Sequence, residues 1–177
     1  MEERTFAWLP LSPLLQDVVK HDSEKLSDGW LLKTSSVTGE FITSMVRFTR
    51  DKPVRPDGDC MKVYIPVTRW TQDRLENYYA EFSAQDCARI AAMVDSQMRH
   101  RVMMWVESGR WNGYSLKQCL YGIIEEYGLR ASEDSFEMLK KMAYRERVKV
   151  RRDMAARMRI IQQRESPQVK KRPRVVI

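Results

Sequence analysis

The chain has 177 residues, of which 31 are Lys or Arg and 24 are Asp or Glu, giving a formal net charge of +7. This length fits one domain with an appendage. Because no run of about 18 apolar residues could span a bilayer and the start, Met-Glu-Glu-Arg, is acidic where a secretory signal is basic, we expect an intracellular protein, cytoplasmic or, in a eukaryote, nuclear.

The first predicted element is a short helix that begins at Ser12-Pro13. Ser suits the N-cap position, and Pro suits the first helical position. Leu14, Leu15, Val18 and Val19 supply an apolar face, and Asp28-Gly29 is the predicted end.

Residues 28–69 are expected to be rich in strands. Side chains alternate along Phe41–Phe48, and Val63, Ile65 and Val67 repeat at every second residue. The connector between them contains Pro53, Pro56 and Asp57-Gly58, which favour turns. We therefore expect a small antiparallel sheet near the N-terminus, formed by a long-looped hairpin whose second strand is confined to an edge by Pro66.

Residues 70–139 are expected to be helical. Thr71 could start a short helix to about Phe82, and Ser83 caps a longer one that stops at Gly109. Its apolar stripe recurs at helical spacing and predicts a core face made of Cys87, Ile90, Ala91, Val94, Met98, Val102 and Trp105.

Two further helices follow. Ser115 and Gln118 predict a capping box for a helix that ends at Tyr127, with Gly128 as its left-handed C-cap. Ser132 caps the last helix, which could run to about Arg164. The predicted class is thus α+β, mostly α, with a globular body (1–139), a basic helix end (140–164) and a disordered basic tail (165–177).

The most informative feature is the uneven distribution of charge. Between Lys140 and Arg174 lie 14 of the 31 Lys and Arg residues, opposed only by three carboxylates, so this segment carries +11 while residues 1–139 carry −4. Such asymmetry indicates a polyanionic partner. The predicted binding residues are Lys141, Arg145, Lys149, Arg152, Arg159, Lys170, Lys171, Arg172 and Arg174.

The three last helices have the lengths and the Gly128 turn of a helix-turn-helix-like arrangement. However, the start of the final helix holds Glu133, Asp134 and Glu137, which repel phosphate. We therefore expect contacts with the phosphate backbone rather than base reading by that first turn.

Aromatic residues cluster around the turn near Gly113. Trp105, Trp111, Tyr114, Tyr121 and Tyr127 could stack on bases. Packing in the core is the favoured interpretation, because Trp105 lies on the apolar stripe.

No motif for catalysis or cofactor binding is present, and we assign no catalytic residue, no metal and no cofactor. Asp51, Asp57 and Asp59 could bind a divalent ion, but the surrounding Pro and Gly residues favour an exposed turn. Three widely spaced cysteines, Cys60, Cys87 and Cys119, predict reduced thiols rather than a zinc site or disulfides.

The sequence therefore favours a non-enzymatic nucleic-acid-binding protein, with DNA the favoured ligand, as in a regulatory or replication accessory protein of a phage or mobile element. The alternative is an assembly or scaffold protein. In that case the long helix pairs with a partner helix or a second copy, and the tail docks on an acidic protein.

Overall fold

The computed structural model describes residues 5–130 and 133–165, with side chains as far as Ile161. Short strands and helices alternate at first, and three longer helices follow, so the mostly helical α+β class is confirmed. The strands are β1 (Phe6–Pro10), β2 (Ser23–Lys25), β3 (Trp30–Leu32), β4 (Arg47–Thr49), β5 (Cys60–Tyr64) and β6 (Tyr79–Glu81). The helices are α1 (Pro13–His21), α2 (Val37–Ser44), α3 (Gln72–Asn77), α4 (Ala84–Trp111), α5 (Leu116–Glu126) and α6 (Glu133–Glu165).

The main sheet has the strand order β1-β5-β3-β2. The outer pairs, β1 with β5 and β2 with β3, are antiparallel, whereas β3 and β5 are parallel. The sheet is therefore mixed rather than purely antiparallel. The parallel pair is possible because the chain passes through α2 and β4 before it returns, which gives the long crossover that parallel strands need.

The predicted strand over Phe41–Phe48 is wrong for its first half, which belongs to α2, whereas Arg47 and Phe48 lie in β4. The Ser36 hydroxyl caps this helix by accepting a hydrogen bond of 2.9 Å from the Gly39 amide. Gly39 lets the helix pack closely, since a Cβ there would lie 2.2 Å from the Lys33 carbonyl oxygen.

The predicted hairpin between the two strand segments does not form. Strand β4 pairs with β6 in a separate two-stranded sheet, and β5 lies between β1 and β3. Pro66 does not confine β5 to an edge, because it follows Tyr64 at the strand's end and therefore removes no hydrogen bond from the ladder. Strand β1, which the sequence analysis missed, buries Ala7 and Leu9 completely.

The helical boundaries agree in part with the sequence analysis. Helix α1 begins at Pro13 as predicted, but it ends at His21, well before Asp28-Gly29. The predicted helix from Thr71 is limited to α3, because Tyr78 adopts an extended conformation that leads into β6.

Helices α4 and α5 have the predicted caps. The Ser83 hydroxyl accepts from the Asp86 amide, Ser115 and Gln118 form the capping box, and Gly128 has a φ of +55°. Gly109 does not stop α4, which continues to Trp111. The predicted cap at Ser132 lies outside the described residues.

Helix α6 packs on the body with its first half only, as predicted. Leu139 is fully buried and Met142 nearly so, whereas every residue from 151 to 161 is exposed. With 33 residues the helix is about 50 Å long at 1.5 Å per residue. The body therefore holds one end of α6 and leaves the other end surrounded by solvent.

Candidate nucleic-acid interface

The basic arm, residues 140–165 of α6, places the predicted helical cations on one side. At 100° per residue, the five positions lie within an arc of about 80° on an uninterrupted helix. They are Lys141, Arg145, Lys149, Arg152 and Arg159. The fully buried Leu139 lies about 120° from the middle of this arc, whereas the buried Met142 lies close to its edge. Lys141, Arg145 and Lys149 line depressions between α6 and α4, so the docked part of the helix carries cations beside the body and only the outer part is free of it.

These five cations are exposed, and none of them forms an ion pair with any residue that the structure describes. Lys140, by contrast, lies 2.9 Å from the Glu137 carboxylate. Exposed cations without carboxylate partners can bind phosphate without first breaking an internal pair. The remaining predicted residues, Lys170, Lys171, Arg172 and Arg174, lie outside the described residues.

The carboxylates at the start of α6 lie apart from the outer end of the arm. Glu133 and Asp134 are exposed in its first turn, where the helix dipole stabilises negative charge. The negative charge of the first turn and the positive charge of the outer end are therefore separated along the helix.

A second feature is a cavity of about 710 Å³ between α4 and α5, here called the aromatic pocket. Trp105, Tyr114 and Tyr127 supply its rings, and Arg101 and His100 lie among its lining residues. The predicted core packing of the aromatic cluster is wrong for most of its members. Trp105 is 37% exposed, Tyr114 57% and Trp111 91%.

Two glycines explain how the aromatic pocket is built. A Cβ on Gly109 would lie 2.4 Å from the Cys119 Sγ, so glycine is needed where α4 and α5 approach each other. A Cβ on Gly122 would lie 3.1 Å from the indole Nε1 of Trp105. The Trp105 ring therefore lies against the backbone of α5 instead of entering the core.

Arg101 is held in place beside the pocket by Asp22. Its guanidinium donates to the Asp22 carboxylate at 2.9 Å and lies 5.2 Å from the centre of the Tyr127 ring. Burial opposes ionisation of Asp22, but hydrogen bonds from Arg101, Thr38 and His21 outweigh it and lower the pKa of this carboxyl group. Asp22 therefore stays charged and fixes Arg101 as a cation at the pocket wall.

We expect Asp22→Asn to lower the free energy of unfolding at neutral pH by about 1–2 kcal/mol, since Arg101 loses a charged acceptor. The pKa of Asp22 is lowered by folding, so its contribution is complete above the unfolded value of about 3.9 and is lost as pH falls through the lower folded value. Urea unfolding between neutral and acidic pH measures both effects. Asp57→Asn, in an exposed loop, is the control, and equal stability of the two variants would contradict the role of Asp22.

His100 connects the aromatic pocket with the basic arm. It lines the pocket and also lines a neighbouring depression that contains Glu146 and Lys149 of α6. Among the lining residues, His100 is shared by the aromatic pocket and this depression, which also holds the carboxylates of Asp95 and Glu146.

The other candidate groups have simpler surroundings. Asp51, Asp57 and Asp59 are exposed, as the turn interpretation predicted. Cys119 is buried, while Cys60 and Cys87 are half-buried, and burial raises the pKa of the Cys87 thiol.

The sequence indicates the aromatic residues near the turn but not their proximity to Arg101 and His100. Glycines inside helices were the available signal, because Gly costs about 1 kcal/mol relative to Ala there and often marks close packing. Within the described ranges, no helix is long and apolar enough to cross a membrane. No family model matches the chain, and no curated protein or solved structure is significantly similar to it.

Proposed function

We propose that the protein is a non-enzymatic nucleic-acid-binding protein whose basic arm contacts the phosphate backbone, with DNA the favoured ligand. The observation that carries this proposal is the set of five exposed cations on one side of a helix whose outer end is free of the body, none of them paired with a carboxylate among the described residues. We also propose that the protein carries out this function inside the cell.

Electrostatics support the phosphate backbone as the contact. Like charges three or four residues apart weaken an isolated helix by a few tenths of a kcal/mol per pair. A bound phosphate relieves this repulsion and releases condensed counterions, which favours association. The body, at −4, would repel the same ligand, so binding depends on the arm.

Charge reversal of the arm tests the proposal. The triple variant Arg145→Glu, Arg152→Glu, Arg159→Glu is expected to weaken binding to duplex and single-stranded DNA by at least about 100-fold at moderate salt, because three phosphate contacts become repulsive. Fluorescence anisotropy with labelled DNA measures the affinity, and circular dichroism measures the helix content.

A matched control makes the same change of charge on the body. Lys33, Arg50 and Arg69 are exposed, and each of them is changed to Glu in the control variant. A general charge effect would weaken binding equally in both variants and would contradict an interface on the arm.

The second candidate, an assembly or scaffold protein, is favoured by apolar side chains on the free part of α6. Met154 is 61% exposed, and Met158 and Ile161 continue the same face. A partner helix or a second copy would cover them, although the surrounding arginines oppose pairing of two identical arms. Light scattering at increasing protein concentration, with Met154→Lys and Met158→Lys as a variant, distinguishes a self-associating arm from a monomeric one.

A further inference from the structure

We infer that the ligand is a single-stranded nucleic acid, one base of which stacks in the aromatic pocket while its phosphates follow the basic arm. This inference rests on the proposed function and specifies its ligand class. It assigns a binding role to the cavity between α4 and α5.

The chemistry of the pocket fits a nucleobase. Its volume of about 710 Å³ lies within the range of about 300–1,000 Å³ that is common for ligand sites. Trp105, Tyr114 and Tyr127 present ring surfaces, on which any base can stack through its π-face. Arg101 is paired with Asp22 and adds no net charge to the pocket, so the rings favour a flat ligand that stacks over an aliphatic one.

Hydrogen-bonding groups in the pocket point to the same class of ligand. The Gln118 side-chain oxygen is occupied by the Ser115 amide in the capping box, at 2.9 Å. Its amide nitrogen and the indole Nε1 of Trp105 donate to no group in the part of the chain that the structure describes. The Gln118 amide can donate to the carbonyl and ring-nitrogen acceptors on the edge of a base, whereas the Nε1 edge of Trp105 lies against Gly122.

The concave shape of the pocket favours single strands over duplexes. A base in a duplex is stacked and paired, and turning it out of the helix costs a few kcal/mol. An unpaired base enters the pocket without that cost. The pocket therefore favours single strands over duplexes, whereas the cations of the arm alone do not distinguish between them.

The adjacency at His100 allows one strand to occupy both surfaces. His100 lines the aromatic pocket and the depression that contains Lys149, one of the five cations of the arm. A strand that extends from the pocket past His100 reaches the depression that contains Lys149, and this is the route we infer to the cations of the arm.

The test compares two labelled single strands of about 12 nucleotides, oligothymidylate and an oligomer of abasic nucleotides that keeps every phosphate. Wild-type protein is expected to bind oligothymidylate at least about fivefold more tightly, because base stacking on aromatic side chains contributes at this level. Fluorescence anisotropy measures both affinities, and unlabelled thymidine monophosphate is expected to compete only at far higher concentration. A free nucleotide that competes as strongly as the strand would overturn the assignment of a strand to the pocket.

Two variants locate the base. Tyr114→Ala and Trp105→Leu are expected to reduce the preference for oligothymidylate to less than about twofold, while the salt dependence of binding stays unchanged. The matched control is Trp111→Ala, because Trp111 is more exposed than either ring and does not line the pocket. This control should keep the full preference.

The outcomes separate the two proposals. Equal binding of oligothymidylate and the abasic oligomer to the wild-type protein would overturn the base pocket and leave the phosphate-binding arm intact. Loss of the preference in Trp111→Ala, or its persistence in both pocket variants, would also overturn it. Absence of binding to every nucleic acid would contradict the proposed function itself.

Discussion

Raising the salt concentration from about 50 to about 200 mM is expected to weaken binding to duplex DNA, which needs only the cations of the arm, by about 500-fold. The reason is counterion release: five phosphate contacts give a logarithmic slope of about −4.5 against salt concentration. The five helical cations of the arm, which are exposed and have no ion-pair partner in the part of the chain that the structure describes, supply that number of contacts. Anisotropy titrations at several salt concentrations measure the slope.

The triple reversal at Arg145, Arg152 and Arg159 should reduce the magnitude of this slope by about 2.7, because three contacts are removed. The body control, with Glu at positions 33, 50 and 69, should keep the wild-type slope. A wild-type slope near zero would mean that any binding observed does not use the arm's phosphate contacts. A steep slope that is the same in all three proteins would place those contacts elsewhere in the chain.

The helical half of the fold could be predicted because its boundaries depend on local chemistry. Ser83 and Ser115 cap helices through hydrogen bonds that span three residues, and Gly128 supplies a left-handed conformation directly after α5. Such signals are contained in a few neighbouring residues. The long apolar periodicity of α4 added a second, independent indication.

The strand region could be predicted only in part, because its elements are short and their partners are distant. Ile42, Met45 and Val46 fit helical spacing, but Ile42 and Val46 alone also fit strand alternation, so this pattern was ambiguous. The Ser36 cap and the close packing of Gly39 favour the helix. The position of β5 between β1 and β3 depends on contacts far apart in sequence. No local pattern specifies such pairings.

The two parts of the candidate site also differ in how far the sequence predicts them. Charge density along α6 is visible in the sequence, so the exposed cations could be identified residue by residue. The aromatic pocket depends on where α5 packs against α4, and a Trp at helical spacing looks the same whether it enters the core or lies beside it. Gly122 contributes to the outcome, because a Cβ there would lie 3.1 Å from the Trp105 indole and would require the ring to shift by a few tenths of an ångström.

Leu139→Ala is expected to lower the free energy of unfolding by about 2–5 kcal/mol, because it leaves a cavity where α6 docks on the body. Leu139 is fully buried, and Met142 is its nearest buried apolar neighbour on that helix within the described residues, so few other side chains could compensate. Urea unfolding followed by circular dichroism measures the loss.

The matched control on the same helix is Met154→Ala, which should change the free energy of unfolding by no more than about 0.5 kcal/mol because Met154 is exposed. This contrast separates the docked end of α6 from its free end. A comparable loss in both variants would mean that the outer part of the arm is packed in solution, through a second copy of the chain. The cations would then flank a protein interface, and the assembly function would be favoured over binding of nucleic acid.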